Sequence, residues 1–396
     1  MNKKKSKIPR LFCPDFSSVR PILLGKEAPR ADTLLLISII ILALCGTLTV
    51  FSAGTAYASF RYGDGAFFVK KQSVWLIAGL AVMILVARIR PRTVYDITPL
   101  MYLGTVILLV LVLIIGFAGN GAKRWISIGP VTIQPSEIAK ITMILMLARY
   151  FSIYGARSGE RKNQKMLFLY GTLIPALIIF VPIILVMLQK HLSCIIILGT
   201  IGLLVILFGG VSAKYIAMFT GAGALGVTAL ALLTDYTKER ITVWRNPEAY
   251  RLTGGWQTLQ GLMAIGSGGL FGVGIGNSVM KHCYVSEPAN DMIFAILCEE
   301  TGFFGAVAVL SLFALLVIRG YIVALRAENI FSRITAFGIS TKMAVQVLLN
   351  VAVVTNTIPN TGISLPFFSY GGSSLLMLMF EMGLLLSISR FAEIKK

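Results

Sequence analysis

Three acids fall within one ten-residue stretch of Ser286-Glu287-Pro288-Ala289-Asn290-Asp291-Met292-Ile293-Phe294-Ala295-Ile296-Leu297-Cys298-Glu299-Glu300-Thr301-Gly302, namely Asp291, Glu299 and Glu300. The apolar run after Asp291 predicts a helix with Asp291 at its mouth. Helical geometry then sets Glu299 about 12 Å deeper and roughly 80° around, with Glu300 nearly opposite Asp291. Carboxylates at the head of an apolar span are expensive unless they serve an ion path, a substrate or a partner's charge. Asp291 is shallow enough to meet an aqueous substrate, which makes it the best candidate for a general base.

Three further segments differ from ordinary loops. The first is Gly121-Ala122-Lys123-Arg124-Trp125-Ile126-Ser127-Ile128-Gly129, followed by Ile133-Gln134-Pro135-Ser136-Glu137-Ile138-Ala139-Lys140. Trp125, between apolar residues and beside two cations, suits a water–lipid interface. Pro135 and Ser136 make a helix start, and Glu137 then favours the positive end of the helix dipole. Glu137 and Lys140 share a helical face at i,i+3 and can pair. An aromatic anchor with a stabilising ion pair is the plain alternative, but a charge pair just inside a span must face a polar interior. The second segment, Gly254-Gly255-Trp256-Gln257-Thr258-Leu259-Gln260 leading to Ala264-Ile265-Gly266-Ser267-Gly268-Gly269-Leu270-Phe271-Gly272-Val273-Gly274-Ile275-Gly276, is glycine-rich. It matches neither the dinucleotide fingerprint nor a Walker loop. Its glycines permit close approach to a ligand or to a neighbouring helix. The third, from Thr355 through Asn360, Gly362, Pro366 and Ser369 to Ser374, combines proline, glycine and hydroxyls. It reads as a turn that can expose polar backbone at membrane depth beside protein or water.

The elements that must hold these residues are membrane spans. Apolar residues make up 56% of the 396-residue chain and charged ones 13%, against roughly 45–50% and about 25% in soluble domains. An all-α polytopic membrane protein of ten spans is expected, at about 33–53, 73–88, 99–117, 137–154, 167–188, 193–210, 215–233, 291–318, 334–356 and 370–389, each long enough to cross a hydrocarbon layer of about 30 Å. Only Gln189-Lys190-His191-Leu192 separates spans five and six, which predicts a tight hairpin. Residues 1–32 form a basic tail, 33–389 the transmembrane domain with a large loop over 234–290, and 390–396 a second tail. The start Lys3-Lys4-Lys5-Ser6-Lys7 runs into a polar segment with Pro9 and lacks an apolar h-region, so the first span is expected to remain as an anchor.

With the N-terminus cytoplasmic, 22 Lys and Arg fall inside and 11 outside. This bias favours both termini inside and the large loop outside. The net charge of +19 then reports orientation and attraction to anionic lipid headgroups. No basic stripe with interleaved aromatics indicates nucleic-acid binding. Cys13, Cys45, Cys194, Cys283 and Cys298 show no CxxC spacing, and His191 and His282 are the two histidines, a set that does not suggest zinc.

The four segments together resemble the SEDS family (shape, elongation, division and sporulation), the FtsW, RodA and SpoVE group. GAKRW…QPSEIAK, AIGSGGLFGVGIG, the acid of NDMIFAILCEETG and NTGISLPFFSYGGSS stand in the family's order and cover nearly the whole chain. The last motif and the ending Leu384-Leu385-Leu386-Ser387-Ile388-Ser389-Arg390 are closer in wording to FtsW and SpoVE than to RodA. The resemblance implies a ten-span peptidoglycan glycosyltransferase of the bacterial cytoplasmic membrane that polymerises lipid II beside a class B penicillin-binding protein, with other division or sporulation proteins as partners. It puts the essential loop acid on Asp291 and the substrate and pyrophosphate contacts on Arg124, Trp125, Glu137 and Lys140, with Glu299 and Ser369 as further candidates. A bound Mg²⁺ or Mn²⁺ is another way to meet the leaving pyrophosphate's charge. A lipid II flippase and a non-catalytic division scaffold are the alternatives; a flippase needs polar residues through both leaflets, whereas the charged motifs gather at one end. The chain departs from the family at the turn between spans five and six, where Gln/Glu-Pro-Asp-Leu-Gly-Thr is replaced by Gln189-Lys190-His191-Leu192-Ser193-Cys194. No acid in that turn can serve as ligand or base here.

Overall fold

The computed structural model describes residues 31–119, 122–129, 131–158, 169–211, 221 and 235–392. The basic tail up to residue 30, the expected seventh span (Gly221 apart) and residues 393–396 lie outside them. The described chain is mainly helical: α1 (Thr33–Tyr62), α2 (Phe67–Arg88), α3 (Pro91–Ile115), α4 (Pro135–Ser158), α5 (Ile174–Leu188), α6 (Leu192–Phe208), α7 (Asp235–Arg245), α8 (Trp256–Gly268), α9 (Ile293–Arg326), α10 (Ile330–Val354) and α11 (Gly372–Arg390). Among the described residues, seven helical stretches are long and apolar enough to cross a membrane: α1, α2, α3, Leu169–Leu188 (a π-turn running into α5), α9, α10 and α11. At 17 residues, α6 is shorter. The amphiphilic start of α4 carries Glu137 and Lys140.

Several expected boundaries move outward. The first span extends to Tyr62 and the eighth to Arg326, because hydropathy marks where lipid begins and ends whereas helical hydrogen bonding continues into the interface. The all-α expectation is corrected at one place. Residues Phe117–Gly119, Ala122–Ile128 and Val131–Ile133 form three short antiparallel strands, β1, β2 and β3, with β2 in the middle. The period-two alternation of Lys123, Trp125 and Ser127 with Arg124 and Ile126 suits such a ribbon. The large loop is also partly helical, through α7 and α8.

The bundle is packed around α4, whose Ala139, Ile141, Met143, Ile144, Leu145, Leu147 and Ala148 are inaccessible to solvent. Outward faces are apolar as well, with Leu48, Ile77, Leu100 and Ile114 exposed, as expected where lipid replaces water. One end of the bundle gathers the sheet, the α5–α6 turn, the large loop and the α10–α11 connection. At the opposite end the first and last helices meet: Ser389 Oγ accepts from Asp32 N at 3.1 Å, Arg319 pairs with Asp32, and Arg390 donates to Ala87 O at 3.0 Å.

Candidate active site

Asp291 lies two residues before α9. Its backbone is fixed from below by Asn350 of α10, which is wholly buried and donates to both Asp291 O (3.1 Å) and Ile363 O (2.6 Å). The preceding residues are clamped by the α10–α11 connection. Ser369 Oγ donates to Asn290 O and accepts from Leu365 N, each at 2.7 Å, and Tyr370 N donates to Ala289 O at 2.8 Å. Ser369 thus holds two motif segments together through backbone contacts.

The carboxylate is set by side chains from two other elements. Asp291 Oδ1 accepts from Gln257 Nε2 at 3.4 Å, Gln257 Oε1 accepts from Asn360 Nδ2 at 3.1 Å, and Asn360 Oδ1 accepts from Gly362 N at 3.1 Å. Arg240 of α7 donates to Asn360 O. Gly362 sits at φ +68, and a Cβ there would come within 3.5 Å of Asp291 Oδ2. The second oxygen therefore faces a bare backbone position. Burial pushes the Asp291 carboxyl up to about 6, with Glu287 adding to the rise; its own backbone N–H, Gln257 and Arg240 act in the opposite direction. A carboxylate of that basicity is mostly ionised at neutral pH and accepts a proton more readily than an ordinary aspartate.

The remaining expected residues surround this centre in different ways. Arg124, on β2, donates to Lys190 O at 2.6 Å, reaching the α5–α6 turn. That turn is joined to the Asp291 network, since Ser193 Oγ donates to Thr361 O. Trp125 stands opposite Phe117 in the β1–β2 pair. His191 in the same turn lies 3.5 Å from Ser136 Oγ through Nδ1; burial and the charge of Arg124 hold its pKa down near 3, so it is neutral at physiological pH. Glu137 and Lys140 form the expected pair, at 2.8 and 2.7 Å, and both are buried. Glu299 is turned away from the mouth. Its carboxylate accepts from Ser278 Oγ, Val279 N (2.9 Å) and Met280 N (3.4 Å), and so fastens the large loop. Glu300 accepts from Ser52 Oγ at 2.6 Å and pairs with Lys281 at 3.2 Å.

Sequence reasoning missed several participants. Gln257 and Asn360 lie inside segments singled out above, but nothing in either run indicates that they meet. Arg240 lies in a stretch read as plain loop. Lys342 and Glu381, single charges inside apolar runs, were legible by that fact alone. They pair at 2.6 and 2.7 Å, deeply buried midway along α10 and α11, and their charges act on Glu137 and Lys140. Charge is therefore not confined to the mouth. Among the described residues, no three His, Cys, Asp or Glu side chains converge as a metal cage.

Comparison with known proteins gives a consistent result. The chain is 38% identical over 367 residues to stage V sporulation protein E of Bacillus subtilis, covering 91% of this chain and 98% of that one. It is 35% identical over 373 residues to the probable peptidoglycan glycosyltransferase FtsW of Geobacter sulfurreducens, covering 92% and 96%. Among solved structures, it resembles a chain from a study of how a peptidoglycan synthase complex coordinates polymerization and crosslinking, with a TM-score of 0.76 at 26% identity, covering 91% of this chain and 98% of that one. It also resembles the rod shape determining protein RodA of Thermus thermophilus, with a TM-score of 0.67 at 27% identity over 91% and 97%. The family described as cell cycle protein, that of FtsW, RodA and SpoVE, matches residues 32–394, and this multi-pass membrane chain belongs to it.

Proposed function

We propose that this chain is a peptidoglycan glycosyltransferase that polymerises lipid II at the outer face of the bacterial cytoplasmic membrane, with Asp291 as its general base. The observation that carries the reading is the placement of the Asp291 carboxylate, oriented by Gln257 at the end of the bundle where the motif segments meet; burial there pushes its carboxyl up to about 6. In the reaction a sugar hydroxyl attacks the anomeric carbon of a lipid-linked donor. Asp291 takes the hydroxyl proton as the new glycosidic bond forms. The bond from the anomeric carbon to the phosphate oxygen breaks, and its electron pair leaves with the lipid pyrophosphate. A single displacement inverts the anomeric configuration.

Arg124 and Arg240 are the cations tied into the mouth network, suited to the charge developing on the pyrophosphate. Lys140 is neutralised by Glu137 and contributes through that pair. Among the described residues no protein cage for a metal forms, so Mg²⁺ or Mn²⁺ would enter as a companion of the substrate's own phosphates, where it would offset charge on the leaving group. Ten spans with both termini inside remain the topology we favour. The meeting of Asp32 with Ser389 and Arg319 at the end opposite the mouth supports it. A partner transpeptidase of the class B penicillin-binding type fits a chain whose structural relative comes from a synthase complex.

In a gel assay with purified protein and fluorescent lipid II, Asp291→Asn should reduce strand synthesis about 10²–10⁴-fold, the usual contribution of a general base, while folding and insertion survive. Near-wild-type synthesis would refute the assignment. The buried Lys342–Glu381 and Glu137–Lys140 pairs favour lipid II transport as the second reading, because they carry charge deeper into the membrane. A protein that moves lipid II across liposomes but makes no polymer would establish that reading instead. For topology, Cys283, which is exposed, should react with an impermeant maleimide in intact spheroplasts; labelling of Cys13 without lysis would reverse the orientation.

A further inference from the structure

The long helix α9 is broken at Gly302, where φ is 67° and ψ −168°. Such a break deprives the flanking carbonyls and N–H groups of helical partners, which is costly at membrane depth. The glycine-rich run after α8 supplies them. Val273 N donates to Glu299 O and Gly274 N to Glu300 O, both at 3.0 Å, while Phe303 N and Phe304 N donate to Gly269 O (2.9 Å) and Leu270 O (3.2 Å). At three positions the run and the break approach so closely that only glycine fits. A Cβ at Gly268, Gly272 or Gly302 would fall 2.1 Å from Cys298 O, 2.2 Å from Glu300 O or 2.3 Å from Gly272 N. Asn277 Nδ2 and Lys281 Nζ cover two more of its carbonyls, those of Val273 (3.3 Å) and Gly276 (2.5 Å). The condition for irregular backbone within a membrane, pairing of its polar groups by protein, is thus largely met.

The side chains point to the same environment. From Gly268 to Gly276 none is polar, yet Phe271 and Ile275 are 79% and 77% exposed, and Leu270 is exposed with them. Across the break Phe303 and Phe304 are also exposed, and the Phe271 and Phe304 rings lie 5.3 Å apart. These residues continue the outward apolar surface of α9 that includes Leu315, Ile318 and Leu325. The charged groups nearby, Lys281, Glu299 and Glu300, are all turned inward and bound. We propose that Gly268–Gly276 is a re-entrant segment, threaded into the break of α9 and covered by the acyl chains of the outer leaflet. The proposal requires that α9 spans the membrane and does not depend on the catalytic role of Asp291. It assigns to this motif the anchoring of the large loop at a fixed depth.

The test is depth-resolved fluorescence in proteoliposomes, with Phe271→Trp and Ile275→Trp each compared with the parent protein to subtract its four tryptophans. Glu248→Trp, at an exposed charged position of the same loop, serves as the aqueous reference. Emission added at 271 and 275 should fall about twofold or more with phospholipids brominated on their acyl chains and change little with aqueous iodide, with the reverse at 248. Iodide quenching at 271 and 275 without bromolipid quenching would overturn the proposal. So would iodide quenching that disappears only when a single-span transpeptidase is co-reconstituted, which would assign the face to a protein.

Discussion

At the scale of single residues, the chemistry turns on how Asp291 is held. Its carboxyl is raised to about 6, so the deprotonated form needed to accept a proton is lost as pH falls through that value. The rate of strand synthesis should therefore have an acid limb near pH 6, absent from the residual rate of Asp291→Asn. Gln257 donates to the charged form, so Gln257→Leu should move that limb upward while Gln257→His, which can still donate, moves it less. A limb that stays fixed in Gln257→Leu would show that the amide does not influence the base. Asp291 was legible because an acid at the head of an apolar run has few structural reasons to exist. The residues that orient it were not, because Gln257, Asn360 and Arg240 are separated by up to 120 positions, and their meeting depends on tertiary packing. Glu299 shows the converse. Its expense in a span was read as function at the substrate, but its carboxylate fastens the turn Ser278–Met280.

At the scale of elements, hydropathy located the long apolar helices of the described residues, because a span must match the thickness of the hydrocarbon layer. It could not find the break in α9, since a glycine inside an apolar run leaves hydropathy unchanged. The ribbon β1–β3 was hidden for a related reason, being too short for its alternation to stand out. Gly302 combines a left-handed φ with a ψ that side chains rarely tolerate, a conformation costing about 1–3 kcal/mol for other residues. Gly302→Ala should therefore lower the thermal unfolding midpoint in detergent clearly, the more so because its Cβ meets Gly272 N. Gly266, helical with nothing within 4 Å of an added Cβ, provides the contrast: Gly266→Ala should be neutral or stabilise by up to about 1 kcal/mol. Equal effects at the two sites would refute the packing account of the break.

At the scale of the whole molecule, α4, α10 and α11 meet around two mutually neutralising pairs, Glu137–Lys140 and Lys342–Glu381. Removing one member of a buried pair commonly costs about 3–5 kcal/mol, whereas replacing both with apolar residues is often close to neutral. Lys342→Met alone should destabilise the protein by that order, and adding Glu381→Leu should recover most of the loss in a thermal or denaturant melt. If the double variant retains stability but loses polymer synthesis, the pairs serve the reaction beyond holding the bundle. The joining of Asp32 to Ser389 and Arg319 has a consequence for biogenesis. Helix α2, made early, packs on α11, made about 300 residues later, with Gly79 against Met379. During synthesis the first helices must wait in the bilayer with a polar and small-residue face, including Gln72 and Gly79, uncovered until the ribosome has delivered α11. Closure of the bundle is thus a late event, and an interrupted translation product lacking α11 presents that unfilled face to the membrane's quality-control proteases.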